Sequence, residues 1–250
     1  MLFTKDNTFI VTGASSGIGR EFALKLNEEG ASVVAVARSS ERLTQVKSLS
    51  SNPKNFYTEV KDLNEDIDNL PTFIKELKEK YGKFKGLACI AGTDKVLTTQ
   101  MLNKKDIDEV FTLNYTVPIM LAKGFVDKRN NVGRGSNILF IASITGVFPD
   151  KGQIVYGASK AALIAAMVAI SKEIAPKGLR CNSISPALVE TPMFERQKDS
   201  IGISTEQYAL GIGKPLDIAN LGIFIMSDKA SWITASNYTM TGGVTNGKYI

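Results

Sequence analysis

Short apolar segments alternate with longer amphipathic segments along most of the chain. Runs rich in β-branched and small apolar residues predict strands at 8–12, 32–37, 56–60, 86–90, 137–142, 180–184 and 237–241. Between them, apolar residues recur at helical spacing and predict helices at 18–29, 41–49, 70–81, 105–128, 154–175 and 215–226. Gly30 and Gly82 follow two of these helices, where glycine commonly ends a helix.

Strands that alternate with helices predict one parallel sheet covered by helices on both faces. The predicted strands are apolar almost throughout, which is typical of parallel strands buried on both sides. The 250 residues contain no internal repeat and no low-complexity linker. We therefore expect a single α/β domain, 1–250, with a doubly wound, Rossmann-like sheet of about seven strands.

Composition removes several kinds of chemistry. The chain has no histidine and only two cysteines, Cys89 and Cys181, which excludes imidazole-dependent triads and argues against any metal site. Few cysteines and no signal-like apolar core near the N-terminus predict a cytoplasmic protein. The apolar run 161–170 is about half of a membrane span, so no membrane association is expected.

The net charge of +5 is scattered among acidic residues. We interpret it first as a solvated surface and second as attraction for an anionic ligand. Nucleic-acid binding would need a clustered basic face and is not expected.

Three glycines occupy the turn between the first predicted strand and helix. Gly13 would permit the tight turn, Gly17 a close approach of backbone to ligand, and Gly19 packing of the helix on the sheet. Backbone N–H groups in such a turn, together with a helix N-terminus, can hold a pyrophosphate. The spacing differs from the common G-x-G-x-x-G, and a purely structural turn is the alternative. The expected contacts are Gly13, Ser15, Ser16, Gly17, Ile18 and Gly19.

The end of the second strand indicates which dinucleotide is bound. A carboxylate about 20 residues beyond the glycines selects NAD, whereas an arginine there accommodates the 2′-phosphate of NADP. Arg38 stands 19 residues past Gly19, and Ser39 could donate a further hydrogen bond. We expect NADP(H); a solvated surface arginine is the alternative. Asp62, followed by Leu63, could accept from the adenine amino group or could be only a turn residue.

Tyr156 and Lys160 lie four residues apart near the start of a predicted helix, so they share one helix face. An ammonium group nearby favours the phenolate, and Lys160 would therefore lower the pKa of Tyr156. Ser143 follows the fifth strand, where open α/β sheets bind their ligands, and could hold a carbonyl oxygen. By itself, the Tyr156 and Lys160 spacing also fits a surface helix pair.

Together, the glycine turn, Asn114, Ser143, Tyr156 and Lys160 resemble the short-chain dehydrogenase/reductase family, in particular its NADP(H)-dependent 3-oxoacyl reductase-like members. The resemblance extends from 8 to 243 and implies hydride transfer between a nicotinamide and a carbonyl or alcohol substrate. It implies that Tyr156 is the general acid–base, that Lys160 tunes it and binds the nicotinamide ribose, and that Ser143 orients the substrate. Asn114 would hold a water of the proton relay; a structural asparagine that bends its helix is the alternative.

Three segments depart from the family pattern. Residues 89–92 read Cys-Ile-Ala-Gly instead of Asn-Asn-Ala-Gly, 186–187 read Pro-Ala instead of Pro-Gly, and 241–243 read Thr-Gly-Gly instead of Asp-Gly-Gly. Alanine fits the second position if its φ is negative. None of these changes removes a catalytic group, but they weaken assignment to a branch such as a standard 3-oxoacyl carrier-protein reductase. Further cofactor contacts are expected from Leu63, Ala91, Gly92, Tyr156, Lys160, Pro186, Ala187, Val189 and Thr191, with Thr191 at the nicotinamide carboxamide.

Two segments bear on partners. Small residues at 161–169 allow close helix packing, either on the chain's own sheet or in a dimer, and the resemblance implies a homodimer or homotetramer. The segment 188–214 stands where the family places a substrate lid, and an ordinary surface excursion is the alternative.

The substrate could be an acyl thioester, a sugar or nucleotide-sugar ketone, or another small ketone. A catalytically silent NADP-binding sensor or scaffold is the alternative function, against which the complete Ser143, Tyr156 and Lys160 set argues.

Overall fold

The computed structural model describes residues 1–201 and 208–244. Seven parallel strands form one sheet in the order β3-β2-β1-β4-β5-β6-β7. They are β1 (Thr8–Thr12), β2 (Ser32–Ala37), β3 (Phe56–Val60), β4 (Gly86–Cys89), β5 (Asn137–Ile141), β6 (Arg180–Pro186) and β7 (Asn237–Met240). The α/β prediction is confirmed, and every strand boundary lies within two residues of the predicted one.

The strand order reverses between β1 and β4, since the chain builds outward from β1 to β3 and then from β4 to β7. Ligands of open α/β sheets bind outside the carboxyl ends of the strands at such a reversal. The topology therefore places the site where the first and fourth strands end.

Alternate residues of the central strands enter two separate hydrophobic cores. On β1, Phe9 and Val11 belong to one core, and Ile10 belongs to the other. This is the period-two pattern of a strand whose two faces are both covered. The helices that cover the sheet are α1 (Gly17–Glu28), α2 (Ser40–Ser48), α3 (Leu70–Tyr81), α4 (Lys104–Phe111), α5 (Val117–Phe125), α6 (Ile154–Ile174), α7 (Pro192–Ile201) and α8 (Pro215–Met226).

Local signals explain several helix ends. Ser39 precedes α2, and its hydroxyl accepts a hydrogen bond from the Arg42 N–H at 3.3 Å. Pro71 lies in the first turn of α3, where its missing N–H costs nothing, and Gly82 ends this helix at φ +79°. These caps fix where the helices start and stop relative to the sheet.

The helix predicted at 105–128 is not uniform. Residues Thr112–Thr116 form a π-helical turn between α4 and α5, and the helix ends at Phe125. Pro118 has no N–H to donate to the carbonyl of Asn114, four residues earlier, which is the bond that an α-helix would make. The wider turn accommodates the proline and places Asn114 inside the protein, 1% exposed.

Helix α7 lies within 188–214, the segment for which the sequence predicts a substrate lid or a surface excursion. Thr191 precedes it, and its hydroxyl accepts from the Phe194 N–H at 3.2 Å. The two ends of the excursion meet in a parallel bridge between Val189 and Gly213, with the Gly213 N–H 3.1 Å from the Leu188 carbonyl. The part of the predicted lid at 202–207 lies outside the described residues.

Helix α6 has two apolar faces. Leu163, Met167 and Ile174 are buried, whereas Ala161 and Ala169 are exposed. By length and composition alone, the apolar stretch Ile154–Lys177 could cross a membrane. The apolar residues Leu163, Met167 and Ile174 are buried in the core that also contains Ile10, as in the core helix of a globular domain.

Candidate active site

The glycine turn after β1 has a backbone that only glycine accommodates at two positions. Gly13 has φ +70°, and a Cβ there would lie 2.9 Å from the backbone of Ala91. A Cβ on Gly19 would lie 2.3 Å from the Gly13 carbonyl oxygen, which is shorter than any real contact. Gly19 thus packs against the turn itself. The sequence predicts instead that Gly19 lets the helix pack on the sheet. The turn brings the start of α1 close to β4.

A cavity of about 310 Å³ opens beside this turn. Most of the predicted cofactor contacts line it: Gly13, Ser15, Ser16, Gly17, Ile18, Gly19, Arg38, Asp62, Leu63, Ala91, Gly92 and Thr191. Six predicted contacts are not in its lining: Ser39, Tyr156, Lys160, Pro186, Ala187 and Val189. Nine further lining residues were not predicted: Ala37, Arg42, Lys61, Asn64, Ile90, Leu113, Pro192, Met193 and Arg196.

One end of the cavity carries a surplus of positive charge. Arg38, Arg42 and Lys61 line it beside a single carboxylate, Asp62. The Arg38 guanidinium lies 3.6 Å from the Asp62 carboxylate, and the Arg38 side chain is 72% exposed. The Asp62 carboxylate also accepts a hydrogen bond from the Asn64 N–H at 2.9 Å. Asp62 therefore stabilises a turn and lines the cavity at the same time. Three cations against one carboxylate suit an anionic group.

Ser39 and Thr191 both use their hydroxyl oxygens to cap helices. Each hydroxyl keeps its proton for donation, because a hydroxyl is donor and acceptor at once. The predicted hydrogen bonds from Ser39 to a phosphate and from Thr191 to a carboxamide therefore stay compatible with the structure.

Ser143, Tyr156 and Lys160 converge at the carboxyl end of β5. The side chains of Ser143 and Tyr156 form a hydrogen bond, and Thr145 donates its hydroxyl proton to the Ser143 oxygen at 2.9 Å. The Lys160 Nζ lies 5.7 Å from the centre of the Tyr156 ring and donates to the Ile141 carbonyl at 2.9 Å. Lys160 is 5% exposed, which excludes the surface-pair alternative.

Burial sets the protonation of this cluster. It raises the pKa of Tyr156 to about 12, while the hydrogen bond with Ser143 lowers this pKa and the Asp94 carboxylate raises it. Burial lowers the pKa of Lys160 to about 8, against the opposing effects of Asp94 and Cys89. The predicted lowering of the Tyr156 pKa by Lys160 is not found in this structure: burial is the largest cause of the shift, and Lys160 is not among its causes. Tyr156 is therefore a neutral phenol at pH 7.

Asn114 joins the long helix to the loop after β4. Its side chain accepts from the Thr93 N–H at 2.9 Å and donates to the Thr93 carbonyl at 2.8 Å and to the Ser159 hydroxyl at 3.1 Å. These contacts support a bracing role for the side chain. The Asn114 carbonyl lacks its α-helical donor because of Pro118, so it can accept a hydrogen bond from water. The water relay stays a prediction.

Asp94 is held next to the reactive cluster from both sides. Thr93 is fastened to Asn114, and Lys95 binds Asp106 and Glu109 at 2.7 and 2.6 Å. The Asp94 carboxylate influences both Tyr156 and Lys160. Sequence patterns had not singled it out, since its proximity to the site depends on the fold.

The departures from the family pattern fit the structure. The Thr12 hydroxyl accepts from the Ile90 and Ala91 N–H groups at 3.0 and 3.2 Å, so it ties β1 to the loop after β4, where the family pattern has two asparagines. Among the residues that the structure describes, Asp66 and Ala235 are the positive-φ residues other than glycine, so Ala187 has the negative φ that its place requires.

The residues present fit a nicotinamide dinucleotide. The glycine turn at the N-terminus of α1 offers backbone N–H groups to a pyrophosphate, and the positive end of the cavity lies at the ends of β2 and β3. A Cβ on Gly92 would lie 3.5 Å from the Lys160 Nζ and 3.1 Å from the Asn114 Oδ1, so the cavity's other end approaches the reactive cluster.

Comparison with known proteins agrees with this geometry. A family model described as short chain dehydrogenase matches residues 7–201. The 3-oxoacyl-(acyl-carrier-protein) reductase FabG of Rickettsia felis is 32% identical over 251 residues, covering 98% of this chain and 99% of the relative. The 7alpha-hydroxysteroid dehydrogenase of Bacteroides fragilis is 29% identical, with 96% and 95% covered.

A crystal structure of a short-chain dehydrogenase/reductase of glucose/ribitol dehydrogenase type from Brucella melitensis superimposes with a TM-score of 0.88. It is 29% identical to this chain, with 98% of this chain and 99% of that chain covered. The protein described here belongs to the short-chain dehydrogenase/reductase family. It is an oxidoreductase of a family that uses nicotinamide cofactors and acts on CH–OH or C=O groups.

Proposed function

We propose that this protein reduces a carbonyl compound with NADPH. The observation that carries the proposal is the convergence of Ser143, Tyr156 and Lys160 beside one end of a cavity whose other end is positively charged. A hydride donor held along this cavity would present its nicotinamide to the cluster.

The chain's own residues would divide the chemistry as follows. The Ser143 hydroxyl would hydrogen-bond to the carbonyl oxygen of the substrate and hold it near Tyr156. Tyr156 would donate its phenolic proton to that oxygen as negative charge develops there. The Lys160 ammonium would stabilise the phenolate that remains. A bound nicotinamide supplies the hydride that reaches the carbonyl carbon.

The proton lost by Tyr156 must be replaced for the next turnover. We propose that a new proton reaches Tyr156 from its neighbour Lys160 and from a water bound to the Asn114 carbonyl. Support comes from the π turn, which leaves this carbonyl without an α-helical donor, and from the side chains of Asn114 and Lys160, which both lie close to Gly92.

The protonation state of Tyr156 suits it to act as the acid in carbonyl reduction. A phenol with a pKa of about 12 is protonated at neutral pH and is ready to act as an acid. The reverse reaction would need the phenolate.

The choice of NADP over NAD rests on charge. Arg38, Arg42 and Lys61 outnumber Asp62 at the end of β2 and β3, and a planar guanidinium suits a phosphate dianion. An NAD-selective site would place a carboxylate at the end of β2, where this chain has Ala37 and Arg38.

The substrate proposed is a 3-oxoacyl-type compound, a sugar ketone or another small ketone. The names of relatives that act on 3-oxoacyl groups and hydroxysteroids support a carbonyl or alcohol on an apolar skeleton. The alternative of a silent NADP-binding sensor or scaffold is disfavoured by the hydrogen-bonded Ser143 and Tyr156 beside a buried Lys160.

A homodimer or homotetramer in the cytoplasm is the proposed setting. The exposed alanines of α6 at 161, 165 and 169 follow one helix face, which can approach another helix closely. Cys89 and Cys181 are free and buried, which suits a reducing compartment. Sedimentation of the purified chain measures the assembly.

The decisive experiment is a panel of 3-oxoacyl thioesters, sugar ketones and small ketones assayed with NADPH and with NADH. We expect turnover with at least one ketone class and a preference for NADPH. Preference for NADH would reject the assignment of Arg38, and NADPH binding without any turnover would favour the sensor. The Tyr156→Phe variant serves as the chemical blank.

A further inference from the structure

Arg196 is a cation on the wall of the cofactor cavity that the sequence did not indicate. It lies on α7, together with Pro192 and Met193, which line the same cavity. Residues three and four apart share one face of a helix. The first turn and a half of α7 therefore presents one face to the cavity, with Arg196 as its charged member.

The start of α7 lies directly against the glycine turn. The Thr191 methyl would be 3.2 Å from a Cβ on Gly17, and the Pro192 ring 3.8 Å from it. Gly17 begins α1, whose N-terminal N–H groups suit a pyrophosphate. Arg38 and Lys61 stand instead at the ends of β2 and β3, and Arg42 stands in the first turn of α2. Arg196 thus belongs to the glycine-turn side of the cavity.

The charge of Arg196 is not neutralised by a carboxylate within the part of the chain that the structure describes. Arg38, by contrast, already lies 3.6 Å from Asp62. An exposed guanidinium beside a phosphate-binding turn suits an anion with two oxygens to accept its paired N–H groups.

We propose that Arg196 binds the pyrophosphate of the dinucleotide and so ties α7 to the bound cofactor. The inference rests on the proposed cofactor being a nicotinamide dinucleotide, but not on whether it is NADP or NAD, because both contain the pyrophosphate. Since α7 directly follows Thr191 and its start lies against the glycine turn, the bound dinucleotide would hold the start of this helix in place.

The test compares binding of NADPH, NADH and adenosine 2′-monophosphate, followed by nicotinamide fluorescence or calorimetry. Arg196→Gln is expected to weaken NADPH and NADH by about the same factor, roughly tenfold for one lost charge-assisted contact. It should leave adenosine 2′-monophosphate unchanged, because that probe lacks a pyrophosphate. Arg38→Gln should show the opposite pattern, with NADPH and adenosine 2′-monophosphate weakened and NADH unchanged.

Two further variants separate contact from general charge. Arg134→Gln removes one positive charge from an exposed turn before β5 and should alter none of the three affinities. Arg196→Lys keeps the charge without the paired N–H groups and should recover part of the loss. Melting temperatures confirm that each variant is folded.

Hydrogen exchange supplies a readout that a purely local contact would not move. NADPH should slow exchange in the backbone of α7 in the wild type and much less in Arg196→Gln. Unchanged affinities in Arg196→Gln, or a loss confined to NADPH, would overturn the inference while leaving carbonyl reduction intact. A wild type that prefers NADH would reject only the NADP assignment, and one that binds no dinucleotide would reject both proposals.

Discussion

The glycine turn and the Ser143–Tyr156–Lys160 cluster, which we propose serve one cofactor and its substrate, are built differently. The turn is made of backbone, and it tolerates no side chain at Gly19, where a Cβ would lie 2.3 Å from the Gly13 oxygen. The cluster is made of side chains from the end of β5 and from α6.

The difference lies in what controls each region. The turn depends on sterics between residues close in sequence, so its requirement is local. The chemistry of the cluster depends on burial, which raises the pKa of Tyr156 and lowers that of Lys160. Binding groups can thus be prepared by local conformation, whereas reactive groups are prepared by their surroundings.

Removing the phenol should have the largest effect. Tyr156→Phe is expected to lower kcat for ketone reduction by about 10²- to 10⁴-fold, the range for loss of a general acid. Dinucleotide affinity should stay within about twofold, as fluorescence titration would measure, because the turn is untouched. Tyr81→Phe, whose hydroxyl binds Glu59 at 2.7 Å, is the matched control. A folded Tyr156→Phe that keeps most of its turnover would refute the mechanism.

Adding a methyl group to the turn should come next. Gly19→Ala must displace the Gly13 carbonyl, and overpacking of this kind typically costs about 1–3 kcal/mol. We expect NADPH affinity to fall by about tenfold or more, since about 1.4 kcal/mol corresponds to a factor of ten in Kd, and we expect the free energy of unfolding to fall as well.

Gly82→Ala separates crowding from strain. Gly82 has φ +79°, but a Cβ there would meet no atom within 4 Å. It should lower stability without changing the affinity for NADPH. Equal affinity losses in the Gly19 and Gly82 variants would show that the turn does not act through close packing.

Arg42→Gln should have a smaller effect, limited to one cofactor. The side chain is exposed, so we expect at most about a fivefold rise in the Kd of NADPH and no change for NADH. Titrations at low and high salt would measure this, with a smaller difference at high salt. A matching rise for NADH would remove Arg42 from the 2′-phosphate end of the cavity.

Asp94→Asn should mainly shift the pH profile. The Asp94 carboxylate raises the pKa of Tyr156 and of Lys160, while Cys89 also raises that of Lys160 and the Ser143 hydrogen bond lowers that of Tyr156. Reduction needs protonated Tyr156 and charged Lys160, so its rate falls as pH rises through either pKa. Loss of Asp94 lowers both, and the decline in kcat should move to lower pH.

Asp68→Asn, an exposed carboxylate before α3, controls for the change in net charge. Its profile should match that of the wild type. A decline in Asp94→Asn that stays in place or moves to higher pH would contradict the placement of Asp94 beside the reactive pair.

Much of this architecture could be predicted because its signals are local. The apolar runs predict seven strands within two residues of their ends, and the glycine spacing predicts the turn, in which Gly13 and Gly17 have positive φ. Two errors also had local signals. Pro118 marks the π turn inside the predicted helix at 105–128. Thr191 caps α7, and Pro192 is the first residue of this helix.

Other features had no local signal. Arg196 and Lys61 line the same cavity as Arg38, although they are far from it in sequence. Their association depends on the strand order, which returns the chain to the edge where β1 and β4 end.

By itself, the sequence determined the parallel α/β architecture, because the alternation of apolar runs and helical spacing is a local signal. It also predicted the phosphate-binding turn from the glycine spacing and, through the family resemblance, the roles of Ser143, Tyr156 and Lys160. Only the tertiary structure decided the protonation of Tyr156, the bracing by Asn114 and the positions of Asp94 and Arg196. These depend on burial and on contacts between distant segments, because electrostatic effects act through space rather than along the chain.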